Sequence, residues 1–208
     1  MIRSARGLAI VTLAVAALAP AGAQDPRLGY QLDAPSRTAI TAILDSAAAQ
    51  GIPREPLMEK VLEGTAKGVD GPRIVAAVRT LALEMASVHR ALGTVASVDE
   101  IKAAASAMHA GVPAVELGKL KKQSGLRRSL TLPFTVLGDL ISRGVPVEAG
   151  VNAIRSLVGA GAKDADINTF QRNVSVDIEK GAPPAAAAET RAKAVPAGKP
   201  ESGKPDEQ

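Results

Sequence analysis

The chain contains no cysteine and no tryptophan. Without a thiol there is no cysteine nucleophile and no disulfide staple, so the fold has to stand on its core. The aromatic side chains are Tyr30, Phe134 and Phe170. So few offer no platform for stacking sugars or bases, and they leave the interior to Ala, Val, Leu and Ile. Histidine is almost as scarce. His89 and His109 are not spaced as a His-x-x-x-His metal pair, and no Gly-x-Ser-x-Gly elbow occurs. Both histidines read as surface or capping side chains, His109 lying in the last turn of its helix, where a cation suits the dipole. No metal or other cofactor is expected.

A dominant charge is lacking too. The sequence carries 25 basic and 21 acidic side chains, a formal +4. Two of the basic ones, Arg3 and Arg6, belong to what reads as an export signal over residues 1–23. Leu8 to Leu18 is an uncharged run, Pro20 breaks it, and Ala21-Gly22-Ala23 offers a small-residue cleavage site. The run is too short to span a bilayer comfortably, and no second long apolar run follows. Removing Arg3 and Arg6 leaves 23 basic against 21 acidic side chains, a mature charge of +2. That balance does not point to nucleic acid. A periplasmic or secreted protein is expected, with no transmembrane segment after processing.

What the sequence does have is punctuation. Gly51-Ile52-Pro53, Gly111-Val112-Pro113 and Gly144-Val145-Pro146 each separate two helix-like stretches. Glycine takes positive φ and ends a helix cheaply, whereas proline suits the first turn of the next. Residues 51–78 also align with 144–171 without gaps. Gly51, Pro53, Glu55, Val61, Gly68 and Ile74 fall on Gly144, Pro146, Glu148, Ile154, Gly161 and Ile167. The copy beginning at Gly111 is weaker, with Arg128 where the second glycine would stand. Recurrence on this scale is expected of stacked supersecondary units.

Apolar periodicity and cap residues predict eight helices. They fall at about 36–49, 54–67, 71–91, 98–110, from Pro113 to about Ser124, 130–143, after Pro146, and at about 164–179. Asp33 or Ser36, Asp70, Ser97 with Glu100, and Asp164 are the expected caps. Ile74, Val78, Leu81, Met85, Val88 and Leu92 form the longest seam, either a central core stripe or an oligomer face. No stretch sustains a period of two. The expected fold is all-α: helix–Gly-x-Pro–helix repeats stacked as an α-solenoid or an irregular helical bundle. Residues 24–35 read as a polar lead-in, 36–180 as one helical domain, and 181–208, rich in Ala, Pro, Lys and Glu, as a disordered tail.

Two charged clusters remain as candidate sites. Glu55, Glu59 and Glu63 repeat every four residues on one helix face, with Lys60 and Lys67 nearby. Paired carboxylates of this kind do acid–base work or hold a divalent ion, and otherwise form a solvated face. Lys119, Lys121, Lys122, Arg127 and Arg128 form a basic run that reads as a surface for an anionic partner or as a solvated helix end. The expectation is an exported, non-catalytic binding or scaffold module for an envelope protein or polymer, since stacked helices make extended contact surfaces. Two other readings stay open: a carboxylate-based enzyme acting on wall material, and a peripheral binder of anionic membrane through 119–128.

Overall fold

The computed structural model describes residues 32–125 and 128–195. The expected export signal at 1–23, Tyr30, Arg127 and the chain beyond 195 lie outside the described residues. Among the described residues the chain is all-helical, and no strand occurs. The helices are α1 (Ala34–Ala49), α2 (Glu55–Ala66), α3 (Gly71–Leu92), α4 (Val98–His109) and α5 (Ala114–Ser124). They continue as α6 (Thr131–Ser142), α7 (Val147–Gly159), α8 (Asp164–Glu179) and α9 (Pro184–Lys193).

Starts and stops follow local chemistry. The Asp33 carboxylate accepts from Ser36 N–H at 3.2 Å, and that of Asp70 from Arg73 N–H at 2.9 Å. Each satisfies a donor that helix geometry leaves open. Ser97 and Glu100 close a reciprocal box on α4, each side chain accepting from the other's backbone N–H at 3.1 Å. The expected Asp164 cap is not observed. Asp164 is the first residue of α8, and Asp166 instead accepts from Lys163 N–H at 2.9 Å. Reach explains this, because a carboxylate two residues further on turns back over the open end.

Every connection between consecutive helices has a glycine of positive φ as its first or second residue, at positions 51, 68, 93, 111, 125, 144, 161 and 181. Six of these corners share one hydrogen-bond scheme. The residue after the glycine donates its N–H to a carbonyl five positions back: Ile52 to Ala47, Val69 to Gly64, Val112 to Ala107, Val145 to Leu140, Ala162 to Leu157 and Ala182 to Asp177. This is the Schellman ending, in which a left-handed residue lets orphan carbonyls find donors. Ile52, Val112, Val145 and Ala162 are also buried, so the turn residue itself joins the core.

Packing is aliphatic and close. α3 lies against α1, α2, α4 and α5. Further contacts join α5 to α7, α7 to α9, α4 to α6 and α6 to α8. α4 meets α6 at buried Ala107, and Ala103 and Ala104 of the same helix are buried too. A Cβ added to Gly138 would stand 3.2 Å from Ala107 Cα, so the two backbones nearly touch there. Phe134 and Phe170 fill the second half of the core, and Met58 and Met85 the first. Full burial of such side chains is worth roughly 1.5–3 kcal/mol each before conformational entropy is counted.

Of the expected 74–92 seam, Ile74, Val78, Met85, Val88 and Leu92 are buried under neighbouring helices, while Leu81 is only partly covered. The end of the helical domain, expected at 180, moves outward. Residues 184–193 form α9, which packs on α7 and α8 with Ala187, Ala188 and Ala192 buried. Arg191 grips Asp177 of α8 through two bonds of 2.6 and 2.8 Å. Alanine's high helix propensity and this bidentate clasp hold a segment whose composition alone looks too polar to order.

Candidate functional site

A cleft of about 640 Å³ is walled by α2, α3 and α4. Each wall contributes one helical stripe spaced i, i+3, i+4, i+7, so the side chains point the same way. From α2 come Pro56, Glu59, Lys60 and Glu63, and from α4 come Lys102, Ala105, Ser106 and His109. Ala77, Leu81 and Met85 of α3 make an aliphatic floor, flanked by Thr80 and Glu84. The floor follows from the core stripe of α3, whose edge opens here between the two shorter helices.

The rim is charged and paired. Lys102 Nζ meets Glu59 Oε2 at 2.7 Å, a strut from α4 to α2. Glu63 is held by both Lys60 and Lys67. The Lys67 bond first, then the Lys60 bond, lower its carboxyl to about 2. His109 Nδ1 lies 3.0 Å from Glu84 Oε1, with the carboxylate largely covered and the imidazole 74% exposed.

These contacts limit what the cleft does chemically. A carboxyl with a pKa near 2 stays ionised at neutral pH and has no proton to give as a general acid. Glu55, the first residue of α2, is not among the cleft-lining side chains, so the expected triplet of glutamates does not converge. Ser106 and His109 of α4 with Glu84 of α3 invite comparison with a nucleophile, base and orienting acid. No hydrogen bond joins Ser106 to the imidazole among the described residues, and both side chains are exposed. A Ser–His pair of that kind works by such a bond. No group of three or more His, Asp or Glu side chains is placed to hold a metal ion among the described residues. The cleft thus has an aliphatic floor within a rim that presents both signs of charge.

The basic run at 119–128 is dispersed by the fold. Lys121 is buried and bonded to Glu100, so it presents no charge to a partner. Lys119 bonds Glu116 at 2.6 Å, and Lys122 is exposed. The Arg128 guanidinium donates to the Ala162 carbonyl, pinning the start of α6 to the α7–α8 corner. His89 is half-buried on α3, beside the Gly51 corner.

Sequence reasoning placed Glu59 and Glu63 on one face but missed Glu84, Lys102 and Thr80 as their neighbours. Only the i, i+4 recurrence of polar residues beside the α3 seam, Thr80 and Glu84, signalled a second exposed edge. Comparison with known proteins finds no family model, no curated protein and no solved structure that the chain matches. No described helix is long and apolar enough to cross a membrane.

Proposed function

We propose that the chain is an exported, non-catalytic helical-repeat protein that docks an envelope protein or polymer in the cleft of α2, α3 and α4. The observation that carries the reading is the cleft itself, three aligned helical stripes around an aliphatic floor with every rim carboxylate already paired. Such a surface favours contact over turnover, because a partner gains apolar burial and rim charges while nothing there is poised to move a proton. The order of packing supports the repeat part of the reading. Helices α1, α3, α5, α7 and α9 touch in sequence, and α4, α6 and α8 do so as well, as in a two-layered helical stack. Export rests on the charged, apolar and small-residue zones of residues 1–23.

The rival readings lose their local support. Glu63 is held far from the range of a general acid, and Glu55 stands apart from the cleft. Burial of Lys121 removes the centre of the cationic surface that a membrane binder would need.

The test is affinity capture from envelope extract with the mature chain as bait, in parallel with Thr80→Trp. Thr80 is exposed at the cleft, so an indole there fills the space without entering the core. The expected result is a component retained by the wild type and lost by the variant. Retention of nothing at any salt concentration, or equal retention by both, overturns the proposal.

A further inference from the structure

On the opposite flank of α3 lies a second trough, about 370 Å³, between α3 and α1. Its chemistry differs from that of the cleft. Ile43 of α1 with Ala82 and Ala86 of α3 make a shallow aliphatic floor, and Leu83 stands on its edge with 66% of its surface exposed. Arg79 and Arg90 flank it, both exposed. No carboxylate lines this trough, and neither arginine forms an ion pair among the described residues. The carboxylates on the rim of the cleft, by contrast, are paired within the chain.

The spacing identifies the shape of the occupant. Arg79, Leu83, Ala86 and Arg90 follow one another at four, three and four residues. That is the seam by which one helix receives another. Small residues on both walls permit close approach of a backbone. The two arginines are eleven residues apart, about three turns or about 16 Å along one face at 1.5 Å per residue.

We propose that the α1–α3 trough is a docking site for an amphipathic helix of another protein, one with a small aliphatic face and two acidic side chains about three turns apart. The aliphatic face covers Leu83 and the alanines, and the acids pair with Arg79 and Arg90. Charge complementarity selects this occupant over a second copy of the chain. An antiparallel copy of the stripe sets Arg79 against Arg90 and a parallel one sets like against like, both repulsive. The site is separate from the cleft, so either assignment can fail alone.

The probe is a fluorescein-labelled synthetic helix with an Ala/Leu face and two glutamates eleven positions apart, titrated into the full mature chain and followed by anisotropy. A matched peptide carries lysines at those two positions. The expected result is saturable binding of the glutamate peptide, weakening as salt is raised, and no binding of the lysine peptide. The double variant Arg79→Glu, Arg90→Glu, folded by circular dichroism because both side chains are exposed, weakens binding by about tenfold or more. Leu83→Asp does likewise through the apolar contact. Thr80→Trp, which blocks the cleft, leaves this binding unchanged. Equal affinity for both peptides, no saturable binding, or indifference to the arginine reversal overturns the proposal. So does a sedimentation-detected dimer abolished by Leu83→Asp, or binding to anionic vesicles that depends on the two arginines and competes with the peptide.

Discussion

Glu100 and Lys121 form an ion pair at 2.7 Å with side chains only 4% and 8% exposed. The same carboxylate accepts from Leu130 N–H at 2.8 Å and from Ser97 N–H at 3.1 Å. One side chain thus ties the start of α4, the end of α5 and the start of α6. Both of its oxygens are hydrogen-bonded, which is the condition under which a buried pair is tolerable.

Breaking that pair from one side strands a buried charge. Glu100→Ala is expected to cost about 3–5 kcal/mol, because it leaves the Lys121 ammonium and two backbone donors without an acceptor. Lys121→Met on its own is expected to cost less, since Glu100 keeps its two N–H donors. The double variant Glu100→Gln, Lys121→Met is expected to recover part of the loss, since the charge is gone but the single amide oxygen can accept from only one of those two N–H groups. Urea midpoints of Glu100→Gln, Lys121→Met and their double variant give the coupling, and simple additivity would show that the pair does not act as a unit.

The pair also marks the limit of what was legible along the chain. The helices were legible because apolar residues recur every three or four positions and because Asp33, Asp70 and Ser97 announce their starts. The corners were legible because glycine followed by an aliphatic residue is itself the cause of the turn. Three further corners, after Gly68, Gly161 and Gly181, use the same bonds, the first two without proline, so glycine rather than proline sets the geometry. Lys121 read as one cation among five because its partner lies 21 residues away. Its place beside Leu117 and Leu120, on the buried face of α5, was the available warning. The cleft was half legible. Glu59 and Glu63 share a face by local spacing, whereas the meeting with Lys102 and Glu84 is tertiary.

Acid is expected to loosen the fold through its paired carboxylates. At Glu100 and at Asp139 burial works against ionisation. It is outweighed at Glu100 by Lys121 and two backbone donors, and at Asp139 by Gln171 and Arg143. Lys119 and then Arg155 lower Glu116, and Arg191 lowers Asp177. Each group therefore titrates lower in the folded chain than at its ordinary value, 4.5 for Glu and 3.8 for Asp. The unfolded chain binds more protons in this window, so the contribution is complete above those values and is lost as pH falls through the folded ones. Urea midpoints are expected to hold from about pH 7 to about pH 5 and to drop steadily below. Glu100→Gln should flatten part of that slope. A midpoint that rises on acidification contradicts the assignment.

Two helical glycines should respond oppositely to alanine. A Cβ on Gly118 would stand 2.8 Å from the Ala91 carbonyl oxygen, a backbone atom of α3. The gain of up to about 1 kcal/mol in helix propensity is smaller than the roughly 1–3 kcal/mol cost of overpacking, so Gly118→Ala should destabilise. A Cβ on Gly159 meets only Gln123 Nε2 at 2.8 Å, the end of an exposed side chain that can swing away. Gly159→Ala is expected to be neutral or to stabilise by about 0.5 kcal/mol. Thermal melts of the two variants check the order, and a Gly118→Ala protein at least as stable as the wild type would mean that α5 does not press on α3 as described.

Docking of α9 is expected to be the weakest link of the stack, because its buried side chains are alanines. Arg191→Ala removes the two bonds to Asp177 and should loosen the docking only modestly, since that clasp is partly exposed and screened by solvent. Ala188 is 0% exposed, and glutamate there is too costly to bury. The helix should release rather than bury the charge, so the loss stops at the free energy of docking and does not spread to the core. Hydrogen exchange distinguishes these outcomes. In Ala188→Glu, amides of 184–193 should lose protection while those of α3, α4 and α6 keep theirs. Global loss of protection would show instead that α9 is integral to the cooperative unit, and unchanged protection would show that the helix does not depend on its seat against α7 and α8.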